Sequence, residues 1–184
     1  MGRRGRRASR AAEPWRSSPV RQAEDKIVAR KALPALRLKL RAEGKKLVMT
    51  NGCFDIMHAG HASYLQHARN LGDALLVALN TDASVRRLKG EKRPLIDEKN
   101  RARMMAALEC VDYVTFFDED EPKALVAEVL PDVLVKAADW AHYVSGREAV
   151  EAAGGKVVLA PMVEGLSTTK IVGKILSVYG GKPS

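Results

Sequence analysis

The chain has 184 residues, 46% of them hydrophobic, which is enough for one domain with a real core. No run approaches the roughly 18 apolar residues of a membrane span. Two cysteines, Cys53 and Cys110, are too few for a disulfide framework, so a soluble, cytoplasmic protein in a reducing compartment is expected. The net charge of +9 invites a nucleic-acid reading, but residues 1–21 carry seven arginines against one glutamate, leaving only +3 for the rest. That tail lacks apolar periodicity and is expected to be disordered. A nucleic-acid arm or a targeting segment weighs less than a solvated extension, or an over-early start codon, so no nucleic-acid partner is expected. Residues 22–184 are then the folded domain.

In chain order, residues 24–42 repeat apolar positions at helical spacing around Pro34, predicting one kinked helix or two short ones. "KLVMTNG" reads as a buried strand closed by an Asn-Gly turn. "HASYLQHARNLG" predicts a helix with Tyr64, Leu65, Ala68 and Leu71 on one face and Gly72 as its stop. "ALLVALN" is a second buried strand. "NTDASVRRLKGEKRP" reads as a long basic loop. Thereafter "EKNRARMMAALE", "EPKALVAEVL" and "GREAVEAAGG" predict helices, alternating with strands in "DYVTFF", "DVLVKA" and "KVVLAP". "STTKIVGKILSVY" is a final helix opened by hydroxyl residues. Such alternation, with strands too apolar for a sheet wetted on one face, predicts an α/β fold. It is a doubly wound parallel sheet of about five strands with helices on both faces.

In such sheets ligands bind beyond the carboxyl ends of the strands, and unusual polar residues gather in those loops. In "TNGCFDIMHAGH", His58 precedes a predicted helix and His61 lies in its first turn, beside free N–H groups that favour anions. Zinc would need more ligands; Cys53 and Asp55 are near, but the spacing fits no common zinc pattern, so no metal residue is assigned. Phosphate binding outweighs both metal binding and plain capping. In "EGLSTTKI", Ser167, Thr168 and Thr169 open a second helix with hydroxyls and N–H groups, and Lys170 adds charge. Two anion-ready helix starts at one sheet edge could grip a triphosphate from both sides. The run holding Lys89 could close over a phosphorylated substrate, and Asp139 and Trp140 could meet a base or sugar.

There is no Walker A sequence, nucleophile elbow, dinucleotide loop or Cys-x-x-Cys. Phosphate grips without a nucleophile–base pair suit a substrate that arrives ionised, as a phosphate monoester does near neutral pH. Attack on an α-phosphate would then need only positioning and charge stabilisation.

These motifs resemble those of the nucleotidyltransferase superfamily with the His-x-Gly-His signature. "NTDASVRRLKGEKRP", "AALECVDYV" and "LPDVLVK" are most similar to the bacterial heptose-1-phosphate adenylyltransferase family of lipopolysaccharide precursor synthesis. The resemblance covers roughly residues 26–175. It implies a Rossmann-like fold that uses ATP and Mg²⁺ to transfer AMP to D-glycero-D-manno-heptose 1-phosphate, giving ADP-heptose and pyrophosphate. It further implies catalytic roles for His58, His61 and Lys89. Thr50, Asn51, Gly52, Cys53, Phe54 and Arg101 would lie beside the nucleotide, with Asp139 and Trp140 facing nucleotide or sugar. Ser167, Thr168 and Thr169 would hold the β- and γ-phosphates. Many relatives are fused to a sugar kinase; this chain is too short for one, so a separate upstream kinase is expected, as is a homo-oligomer. Where the family has Val-Lys-Gly-Gly-Asp, this chain has Val135-Lys136-Ala137-Ala138-Asp139, and alanine resists the positive φ that glycine permits. The rivals are a cytidylyltransferase acting on glycerol 3-phosphate and a nucleotide-binding module without turnover.

Overall fold

The computed structural model describes residues 21–161 and 165–180. The tail therefore lies outside the described residues except for Arg21, whose guanidinium donates to the Asp112 carbonyl at 3.0 Å. Five strands, β1 (Leu47–Gly52), β2 (Ala74–Asn80), β3 (Tyr113–Phe117), β4 (Val133–Ala137) and β5 (Lys156–Ala160), form one sheet in the order β3-β2-β1-β4-β5. Every pairing is parallel, as the expected doubly wound fold requires. The chain runs outward from β1 to β3 and then returns to lay β4 on the other side of β1. The crevice for a ligand therefore opens between the carboxyl ends of β1 and β4.

The period-two alternation of the strands sorts their side chains to two cores. Val48, Leu75, Val77, Leu79 and Val135 meet Leu65 and Ala68 of α2 (Ala59–Arg69) and Ala102, Met105 and Ala106 of α4 (Glu98–Ala107). Leu47, Met49, Leu76, Ala78 and Leu134 meet α1 (Leu33–Ala42), α5 (Lys123–Val129) and α6 (Arg147–Ala152). A last helix, α7 (Thr168–Tyr179), buries none of its residues and leaves Leu176, Val178 and Tyr179 exposed. Among the described residues no helix is long and apolar enough to cross a membrane.

Two local expectations change. Pro34 does not kink a helix; it sits in the first turn of α1, where its missing N–H costs nothing, and single 3-10 turns at Glu24–Lys26 and Arg30–Ala32 precede it. The expected basic loop after β2 is mostly a helix, α3 (Asp82–Lys89). Thr81 caps it by accepting from the Ser84 N–H at 3.2 Å, Asp82 stands in the first turn, and Arg86, Arg87 and Lys89 lie in the last. Gly90 ends it at φ 91°.

Candidate active site

The end of β1 builds the floor. Thr50 is fully buried and its hydroxyl is 2.6 Å from that of Tyr64, which donates to the Val135 carbonyl at 3.0 Å. Thr50 thus ties β1 to α2 and β4 rather than facing a ligand. Beyond it the chain turns sharply, and Phe54 takes a left-handed φ of 46°, a strained conformation for a bulky residue. Its ring lies over Gly52, where a Cβ would come within 3.0 Å of it. Asp55 is 3% exposed and anchors the segment after α3, accepting from the Leu95 and Ile96 N–H groups at 2.8 and 2.9 Å and from Arg93 at 2.5 Å. Burial pushes the Asp55 carboxyl up, but those hydrogen bonds outweigh it and hold it below the usual carboxylate range.

Next the chain enters α2 with His58 at its N-cap in an extended conformation. The His58 and His61 rings stack, with centroids 3.8 Å apart and planes 20° from parallel, and Phe54 meets His61 edge-on at 5.1 Å. Gly60 makes this stack possible, since a Cβ there would lie 3.0 Å from two His58 ring atoms. The missing side chain thus leaves room for the His58 ring. Burial lowers both imidazole pKa values, that of His61 to about 4 with a further push from His58, so both rings are neutral at pH 7. The Nδ1 of each ring is buried without a hydrogen-bond partner among the described residues. Neutral imidazoles packed this closely can donate to an anion without repelling each other.

The second helix start stands beside them. Ser167 caps α7, accepting from the Lys170 N–H at 3.2 Å, while Thr168 and Thr169 line the same cleft as His61. That cleft encloses about 590 Å³, and its wall includes Asn51, Gly52, Cys53, Phe54, Lys89 and Trp140. So nine of the residues expected at the site line one space, and His58 backs it through the stack. Lys89 reaches it from the end of α3, a fixed helix rather than a mobile loop.

Besides Thr50, two expected residues lie elsewhere. The Arg101 side chain is 0% exposed. It donates to the carbonyls of Cys53 (2.6 Å), Asn80 (2.8 Å) and Ile96 (3.0 Å) and pairs with Asp82 at 2.7 Å. It is a bolt beneath the loops that follow β1 and β2. Asp139 is exposed and does not line the cleft. The two alanines fit without strain: Ala137 is extended at φ −68°, and neither it nor Ala138 has a positive φ.

Lys136, near the end of β4, is a wall residue that the sequence motifs did not single out. Its ammonium donates to Asn51 Oδ1 at 3.0 Å and stands 5.2 Å from the centre of the Trp140 ring. Burial pulls its pKa below the ordinary lysine value. A lysine in an otherwise apolar strand, just where that strand meets the switch point, was the available signal. Also unanticipated on the wall are Glu121 and Tyr143, joined by a 2.8 Å hydrogen bond from the tyrosine hydroxyl. No group of three or more His, Cys, Asp or Glu side chains suited to a metal occurs among the described residues.

Residues 49–174 match the family model described as Cytidylyltransferase-like. The bifunctional protein HldE of Citrifermentans bemidjiense is 60% identical over 139 residues, covering 75% of this chain and 28% of that protein. HldE of Trichlorobacter lovleyi is 52% identical over 160 residues, covering 86% and 33%. The chain thus spans about a third of the length of the curated relatives it matches. Among solved structures, the lipopolysaccharide core biosynthesis protein from Thermoplasma volcanium GSS1 aligns with a TM-score of 0.54 at 30% identity, over 65% of this chain and 98% of that one. Pantoate-beta-alanine ligase from Francisella tularensis aligns with the same TM-score over 85% of this chain at 14% identity, a likeness of fold alone.

Proposed function

The chain belongs to the cytidylyltransferase-like family, and we propose that it transfers AMP from ATP to D-glycero-D-manno-heptose 1-phosphate, releasing pyrophosphate and forming ADP-heptose. The observation that carries this reading is the meeting, in one cleft at the sheet's switch point, of His61 from the start of α2 and Thr168 and Thr169 from the start of α7. Helix N-termini and neutral ring donors together suit a triphosphate. The 50–60% identity to HldE proteins over most of this chain supports the heptose acceptor and, with it, ATP over CTP.

In this reading a phosphate oxygen of the sugar 1-phosphate attacks the α-phosphorus of ATP. A new O–P bond forms, the bond from the α-phosphorus to the α–β bridging oxygen breaks, and pyrophosphate leaves with the electron pair. The attacking oxygen is already ionised near pH 7, so no general base is required. His61, with His58 stacked behind it, would donate to the phosphates where charge builds up, and Lys89 would neutralise the departing pyrophosphate. Ser167 would hold the start of α7 in place while Thr168 and Thr169 meet the β- and γ-phosphates. Asn51 to Phe54 would bound the nucleotide, and Trp140 offers it an apolar face. Mg²⁺ would enter with ATP as the substrate complex, held largely by phosphate oxygens and water. A sugar-kinase activity would supply the acceptor, and a homo-oligomer would use apolar surface such as the outer face of α7.

The test is pyrophosphate release from ATP or CTP with heptose 1-phosphate or glycerol 3-phosphate, all four pairs in parallel. The expected result is release only with ATP and heptose 1-phosphate. Silence from that pair, or preference for CTP with glycerol 3-phosphate, refutes the assignment.

A further inference from the structure

The cations around the cleft differ in whether a carboxylate already holds them. Arg93 is paired with Asp55, Arg101 with Asp82, and Arg87 with Asp118 and Asp120. Lys136 forms no ion pair among the described residues; its ammonium is fixed by the Asn51 amide oxygen and the Trp140 face, and the exposed Asp139 carboxylate acts on it only beyond ion-pair distance, too weakly to offset its burial. A largely buried cation without a directly paired counter-charge is costly to keep unless an anion completes it.

The shape of the site says which anion. A smaller space of about 180 Å³ adjoins the main cleft and reaches Tyr64 and Ala137. Lys89, Glu121 and Tyr143 line only the larger space, whereas His61 and Lys136 line both. The phosphoryl group that is transferred is the one group that must touch both the nucleoside and the acceptor. It therefore belongs where the two spaces join, above Gly52 and Cys53, between His61 from α2 and Lys136 from β4.

The geometry points to Lys136 as a catalytic residue that binds the non-bridging oxygens of the α-phosphate and stabilises the charge they gain during transfer. This rests on the adenylyl-transfer reading above and adds the residue acting on the reacting phosphorus. Asn51 is then a positioning residue, holding the ammonium above the strand end, and the lowered pKa fits an ammonium awaiting an anion.

The experiment compares wild type, Lys136→Met and Lys136→Arg, each first shown to be folded by its melting curve. Methionine keeps the length of the stem and removes the charge. For MgATP with heptose 1-phosphate, Lys136→Met should lower kcat by about 10²- to 10³-fold, with both KM values changed by less than about threefold. Lys136→Arg should keep part of the rate. In phosphorus NMR of bound MgATP without acceptor, the α-resonance should move in Lys136→Met while the β- and γ-resonances stay. A kcat near wild type, a loss confined to KM, or an unmoved α-resonance overturns the assignment. If wild type itself releases no pyrophosphate from this pair, the acceptor reading fails, and the α-resonance still judges the lysine. Should Lys136→Met not fold, Lys136→Arg carries the same comparison, and an α-resonance and kcat equal to wild type's in a variant with displaced charge would overturn it.

Discussion

Arg101→Met separates a scaffold role for this arginine from direct contact with the nucleotide. The substitution keeps an apolar stem of similar reach but strips the donors from the Cys53, Asn80 and Ile96 carbonyls and the cation from Asp82. An orphaned buried acceptor costs about 1–3 kcal/mol, and a buried pair broken on one side costs about 3–5 kcal/mol. The Asp82 side chain is 21% exposed and can turn to water, which favours a total of about 3–5 kcal/mol rather than the sum of all four losses. That is a large share of the roughly 5–15 kcal/mol that holds a typical domain together. At roughly 2–4 °C per kcal/mol for a chain of this size, the melting midpoint should fall by roughly 6–20 °C. Thermal denaturation followed by circular dichroism reads it, and the KM for ATP is measured well below the new midpoint. A midpoint within about 2 °C of wild type together with a tenfold rise in that KM would refute the scaffold role.

His58→Ala and His61→Ala should each lower kcat by about 10²- to 10³-fold, as loss of a positioned donor does, with little loss of stability because each ring carries an unpartnered buried nitrogen; a near-normal kcat in either would remove that ring from the phosphate grip. Gly60→Ala should cut turnover while leaving the midpoint unchanged or higher. The new Cβ, 3.0 Å from the His58 ring, breaks the stack, whereas alanine within a helix gains up to about 1 kcal/mol over glycine. Equal turnover in both proteins would show that the stack is dispensable. Acid should destabilise the protein through His61, whose pKa is about 4 folded against an ordinary 6.5. Between those values the unfolded chain binds more protons, so stability present above pH 6.5 drains away as pH falls toward 4. Denaturant midpoints measured across that window should fall less steeply in His61→Ala, and parallel curves would refute the shift.

The fold is legible in the sequence where local pattern and chemistry coincide. The five strands are apolar runs that each meet Gly, Pro, Asn or Asp at one end or both, so their punctuation agrees with the burial they acquire. The hydroxyl and imidazole residues at the starts of α2 and α7 advertise N-termini in any context, and a parallel sheet brings such termini to one edge. Helix α3 was hidden because its polar exposed face erases the apolar period, although Thr81, Asp82 and Gly90 carried its capping signals. Burial was the other missing quantity. Within one short motif Asn51 faces the cleft while Thr50 points into the core, because successive strand residues alternate sides, and the strand's register decides which is which. Arg101 and Lys136 show the same limit at longer range. Both are cations near the strand ends, yet Arg101 is consumed by three carbonyls and Asp82, whereas Lys136 finds an amide and an aromatic ring. Which cation keeps its charge for substrate depends on which carboxylate packs beside it, and that is settled by the crossing of β2 and α4 rather than by either residue's neighbours in the chain.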